Sequence, residues 1–319
     1  QGAVQIGSCA AGSSAGQCTN SLVTSSTANV SIVGDRITND GTGNLGTTIS
    51  TSGTASFLPA ASSTAFSVFQ EKTAGITLSS NLGGLTIGRS GNTTTGMKLQ
   101  RDWTIAGSIS VFAASLEVPN TVTSSSGSVT LTANTMSLAG TVRAPSGIVT
   151  LTPKDAARNI KLVETSRDAN SLSLTATELE RISATTLRLT NSGLGDITLE
   201  NNLDLALTGK VTNLALRAGN DVRGEGVTIA VANLGVEAGG SISFPGTGGN
   251  AAVIALNAGA SGSITFGQSG NYAVAAVDGI IPEFGYGVSF SFTTEDRTNT
   301  VNRFMAVKFN PPPVIQIRD

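Results

Sequence analysis

Short runs of alternating apolar and polar residues punctuate this chain, and between Trp103 and Ile280 they return about every 20 residues. Gly107-Ser-Ile-Ser-Val111 is followed by Gly127-Ser-Val-Thr-Leu131 and then by Gly147-Ile-Val-Thr-Leu151, two steps of 20. Leu214-Ala-Leu-Arg-Ala-Gly219 returns as Leu234-Gly-Val-Glu-Ala-Gly239 and as Ile254-Ala-Leu-Asn-Ala-Gly259, the same step of 20 in another phase. Alternation is the period of a strand with one dry and one wet face. A strand this short buries too little by itself. If the chain comes back to the same place after every repeat, each strand pairs in parallel with its equivalent. The period therefore predicts an all-β parallel β-helix of about 20 residues per coil, with equivalent side chains stacked about 4.8 Å apart. Val129 and Val149 are expected on adjoining rungs, and the core is expected to be a column of Val, Ile and Leu.

The flanks read differently. In residues 1–103 the runs Val30-Ser-Ile-Val33, Ala65-Phe-Ser-Val-Phe69, Ile76-Thr-Leu78 and Leu85-Thr-Ile87 lie between Gly, Ser and Asn without a strict period. They predict an N-terminal β cap on the solenoid or a small β domain. The β-helix itself is assigned to residues 104–280. Within it, charges gather where the repeat loosens: Lys154, Asp155, Arg158, Lys161, Glu164, Arg167, Asp168, Glu178, Glu180 and Arg181. Insertions in solenoids map to one face, so these are expected to be solvated loops or the place where a partner touches.

Residues 281–319 form a third region. Val288, Phe290 and Phe292, then Val301, Met305, Val307 and Phe309, predict a C-terminal antiparallel hairpin. Pro311, Pro312 and Pro313 impose an extended spacer. The final run Val314-Ile315-Gln316-Ile317 is a candidate subunit-joining strand, added to a neighbouring copy.

Charged residues make up 13% of the 319 residues, about half the usual share, and residues 1–70 carry only Asp35, Arg36 and Asp40. A surface built from Ser, Thr, Asn and Gly does little to keep copies apart, which favours self-association. The net charge of −2 and the lack of basic runs leave no footprint for nucleic acid or anionic lipid. No apolar run is long enough to insert in a membrane as a helix. The chain starts at Gln1 without Met and without a signal-like apolar segment, as expected of a processed product or a fragment.

Cys9 and Cys18 are the two cysteines, and an even count in an exported chain predicts a disulfide closing a small loop; the alternative is two free thiols. The sequence has no His, which removes Ser-His-Asp and Cys-His catalysis and the commonest metal ligand. Neither cofactor nor metal is expected. Carboxylate pairs such as Asp155 with Asp168, or Glu178 with Glu180, are the residues left for polysaccharide cleavage by acid and base. In a strand Glu178 and Glu180 would share a face. Thr130 and Thr132 should stack on Thr150 and Thr152 as a short outward threonine ladder. Asn29-Val-Ser and Asn92-Thr-Thr match the glycosylation triplet, a frequent chance match.

The units Gly-Ser-Val-Thr-Leu-Thr-Ala-Asn at 127–134, Asn213-Leu-Ala-Leu-Arg-Ala-Gly-Asn-Asp-Val222 and Asn233-Leu-Gly-Val-Glu-Ala-Gly-Gly-Ser-Ile242 resemble repeats of the filamentous-haemagglutinin-like large exoproteins of bacteria. The resemblance covers roughly residues 104–280. It implies a right-handed parallel β-helix, export to the cell surface or medium, and a role in adhesion or extracellular fibres. Together these readings lead to a secreted, non-catalytic subunit of a bacterial surface fibre or adhesive matrix. Its expected partners are copies of itself, with surface glycans or a host or cell surface as further candidates. The alternatives are a fragment of a long monomeric adhesin of the same family and, less favoured, a carboxylate-dependent polysaccharide lyase or hydrolase.

Overall fold

The computed structural model describes residues 4–5, 21–23, 27–33, 36–38, 47–59, 67–68, 76–90, 96–191, 193–268 and 271–282. Cys9, Cys18, the hairpin expected over 288–309 and the strand Val314 to Ile317 lie outside the described residues.

The chain is a parallel β-helix. A regular coil contributes three short strands separated by corners, as in Ser115–Val118, Val122–Ser124 and Val129–Thr132. The following coil repeats the set with Thr135–Leu138 and the long strand Val142–Thr152, which turns a corner and serves two sides. Val129 pairs in parallel with Val149, and Leu131 with Leu151. These side chains are fully buried, as are Val122 and Val142 in the third side and Val118 and Leu138 in the second. Each such column of stacked aliphatic side chains gains about 1.5–3 kcal/mol per residue from burial.

One side carries an unbroken path of parallel strands from Val30–Val33 to Ala273–Val274. We call it the long face. Its register gives the true coil lengths. Ile109 pairs with Val129 and Val129 with Val149, and later Leu214 with Leu234, Leu234 with Ile254 and Ile254 with Val274, each a step of 20. Earlier pairs are Val30 with Ala55, Ala55 with Leu85 and Leu85 with Ile109, steps of 25, 30 and 24. The rungs stay stacked through these longer steps, so the strands Val30–Val33, Thr54–Leu58 and Gly84–Ile87 continue the same ladder. Between Val149 and Leu187 the step is 38, and between Leu187 and Leu214 it is 27.

Corners are tight because successive backbones nearly touch. A Cβ on Gly239 would lie 2.2 Å from the carbonyl oxygen of Gly219 one coil below, and one on Gly259 would lie 1.8 Å from that of Gly239. No side chain fits there, so the glycine ending each Ala-Gly repeat is a spatial requirement. After Val274 the chain leaves the column and turns back over the outer wall of the long face.

Candidate functional site

The long step of 38 carries a dense group of ten charged residues, from Lys154 to Arg181. Instead of one strand on the second side, this coil has two, Asn159–Val163 and Ser171–Thr175, paired in parallel and joined by residues 164–170. Parallel neighbours ordinarily need a longer crossover. Here the return loop is seven residues, and it is held by its own charges. Lys161 ion-pairs with Asp168 at 2.9 Å and lies 3.6 Å from Glu200. The N–H of Asn170 foremost, and the Lys161 ammonium after it, hold the Asp168 carboxyl below the usual carboxylate range. In turn Asp168 holds Lys161 above its ordinary value.

The extra strand creates an edge. Thr135–Leu138 is the last strand of its three-stranded sheet, and the sheet that follows on that side does not continue its ladder. Its exposed backbone groups are taken up by side chains. Arg167 donates from Nη1 to the carbonyls of Met136 at 2.6 Å and Ser173 at 2.7 Å. Arg181 donates to the carbonyls of Leu138 at 3.0 Å and Ala139 at 2.7 Å. The N–H of Leu138 donates to Glu178 Oε1 at 2.9 Å. Arg158 closes the corner by donating to the carbonyl of Asn134 at 3.0 Å. Four charged side chains thus stand in for the strand that the ladder lacks.

Glu178 is the centre of this seam. Residues Ala176–Leu179 form one helical turn capped by Thr175, whose hydroxyl accepts the N–H of Glu178. Glu178 Oε2 accepts in return from the N–H of Thr175 at 2.9 Å, completing a capping box, and Arg167 Nη2 donates to Oε1 at 2.6 Å. The stretch expected to be a solvated loop is therefore a helical turn, with Glu178 buried and Glu180 at its C-cap, and not the strand in which the two would share a face. Thr175-Ala-Thr-Glu178 has the Thr-x-x-Glu spacing of a capping box, a signal in the sequence that alternation alone overlooked. Asp155 accepts from Asn134 Nδ2 at 2.6 Å, in an exposed corner. Each of the carboxylates Asp155, Asp168 and Glu178 is engaged in a local tie.

Beside the seam, an open groove of ≈ 540 Å³ crosses the outer side of the strands Ile197–Leu199, Val222–Gly224 and Ile242–Asn250. Glu200, Arg223 and Glu225 are among its lining residues. Arg223 is occupied by Asp196 and lies 4.0 Å from Asp221. Among the described residues no group of three or more His, Cys, Asp or Glu could hold a metal ion.

The long face offers a different kind of surface. Its outward column reads Ser31, Ser56, Thr86, Ser110, Thr130 and Thr150 on successive rungs. Thr132 and Thr152 pair as expected, but Phe112 stands next below them in that second column. The ladder of short hydroxyls is therefore six rungs long in one column, where the 20-residue register alone reached only the two threonine pairs. Ser56 and Thr86 enter through coils whose longer steps hide them. Beyond Thr150 the column continues as Arg188, Ala215, Gly235 and Ala255.

Fold and surface together define a parallel β-solenoid whose charged residues splice two runs of unequal coils. No family model, no curated protein and no solved structure matches this chain. Among the described residues no helix is long and apolar enough to cross a membrane.

Proposed function

We propose that this protein is a non-catalytic extracellular structural protein, a self-associating subunit of a bacterial surface fibre or adhesive matrix. The observation that carries the reading is the flat outer wall from Ser31 to Thr150, six short uncharged hydroxyl side chains on consecutive rungs. That column carries no charge to repel a second copy. The charged cluster supports the reading in another way. Arg158, Arg167, Arg181 and Glu178 are spent on the chain's own backbone, so the charges that looked available for a partner are largely engaged.

Joining of subunits is assigned to Val314, Ile315, Gln316 and Ile317. Electron microscopy of the purified protein tests the reading. A self-assembling subunit gives filaments with a regular axial repeat, and removal of residues 314–319 abolishes them. Single rods about 50 Å long, the height of eleven rungs at about 4.8 Å each, favour the alternative of a fragment of a long monomeric adhesin. Among the described residues the groove carrying Glu200, Arg223 and Glu225 favours a polysaccharide-cleaving enzyme, and a depolymerisation screen addresses it directly.

A further inference from the structure

The chain leaves the column through a tight turn. Val277 and Ile280 exchange backbone hydrogen bonds, N–H of Val277 to O of Ile280 at 3.1 Å and N–H of Ile280 to O of Val277 at 2.9 Å. Between them Asp278 and Gly279 have φ of 52° and 75°. That is the two-residue turn with both central residues left-handed, for which Asp-Gly is a preferred pair. The turn does not project into solvent. Val277 and Ile280 are 4% and 1% exposed and pack on Ala215 and Ala255 of the long face's outer wall.

The seat is made by side-chain size. Ala215, Gly235 and Ala255 follow one another in the outward column where the earlier rungs carry Ser or Thr. A Cβ on Gly235 would fall 2.9 Å from Ile280 Cδ1 and 3.1 Å from the carbonyl oxygen of Val277, so the turn rests almost on bare backbone. At the tip, Asp278 accepts from Arg188 Nε and Nη2, both at 2.7 Å, across 90 residues of chain. Its side chain is 6% exposed. Arg217 Nη2 donates to the carbonyl of Asp278 at 2.6 Å, and the same guanidinium ion-pairs with Glu237. The turn that follows the rung of Val274 is thus fixed to the rung of Arg188, with three rungs between them.

We propose that residues 275–282 are a latch that makes the rungs from Ile182–Asn191 to Ala273–Val274 one cooperative unit. Without it, each coil of a solenoid touches only its neighbours, so a column frays coil by coil from its end. A contact that skips three rungs removes that option. The end coil separates only after the bidentate Arg188 pair and the apolar seat have both opened, and the skipped rungs then lose their support together.

Hydrogen exchange of the full-length protein, read peptide by peptide, tests this. Asp278→Asn keeps a residue that tolerates the left-handed turn and removes the charge; Gly235→Leu fills the seat. The latch requires both variants to speed exchange together in Val211–Ala218, Asn233–Ala238 and Val253–Asn257, by roughly tenfold or more for a lost buried charge-assisted pair. Exchange in Ser108–Phe112 and Val129–Thr132 stays at its wild-type rate and shows that the fold is retained. Faster exchange confined to residues 275–282, a graded loss that is greatest at the end coil, or no change in either variant would overturn the proposal.

Discussion

Glu178 accepts the backbone N–H of Leu138 at 2.9 Å, from a residue 40 positions earlier in the chain. A carboxylate does here what a neighbouring strand does elsewhere in the column, and the same group caps a helical turn and balances Arg167. Glu178→Ala removes the return half of the capping box, leaves a sheet-edge N–H without its acceptor and frees a guanidinium. The expected loss is about 2–4 kcal/mol, discounted for the partial exposure of Arg167. Denaturant unfolding measures it, and Glu178→Gln, which keeps an oxygen for Leu138, should lose less.

The loop 164–170 should loosen at both extremes of pH. The Asp168 carboxyl is held low, first by the N–H of Asn170 and then by Lys161, so its contribution is present above about pH 4 and lost as pH falls through the folded value. Lys161 is held high, chiefly by Asp168, so its contribution is present below about pH 10 and lost as pH rises through its folded value. Between these limits the tie is constant. Amide exchange of residues 164–170 should be flat near neutrality once corrected for intrinsic rates. Asp168→Asn should abolish the acid limb.

The glycine corners set a steric limit on the repeat. Gly239→Ala places a methyl group 2.2 Å from the carbonyl oxygen of Gly219, and backbone on both sides must move to admit it. Overpacking of this kind costs about 1–3 kcal/mol. Thermal unfolding should register the loss, although alanine is usually the milder residue in a strand.

Inward and outward positions should respond very differently to truncation. Leu216 is fully buried between Leu189 and Val236 on adjoining rungs, so Leu216→Ala should cost about 2–5 kcal/mol. Thr150 faces outward between Thr130 and Arg188, and Thr150→Ala should stay within about 0.5 kcal/mol. Parallel denaturant titrations of the two variants make the comparison.

How much of this was legible depended on coil length. Gly107, Gly127 and Gly147, like Leu214, Leu234 and Ile254, announce their stacking because nothing is inserted between them, and any residue 20 positions on is then a neighbour. Ser56 and Thr86 are just as truly stacked, but a step of 30 carries no periodic mark. In the sequence the seam shows only as a gathering of charge, the mark equally of solvated loops or a contact surface. Its purpose becomes plain only when Met136 and Leu138 are seen to have no strand hydrogen-bonded to them on that side, a fact of pairing with no trace in local sequence. The latch left two small traces, Asp278-Gly279 between apolar residues and the shrinking of the outward column to Ala215, Gly235 and Ala255. Each gains meaning only from the other, and they meet through the fold.

Rung-to-rung stacking underlies the core, the seam and the latch alike, and a disulfide trap reads it directly. With Cys9 and Cys18 replaced by serine, Thr130→Cys and Thr150→Cys place two thiols on adjoining rungs of the outward column. Neighbouring strands lie about 4.8 Å apart, within the Cα separation that a disulfide spans. The expected result is a rapid intramolecular cross-link under mild oxidation in dilute protein. Thiols that stay free, or that join only between molecules, would contradict the stacked column.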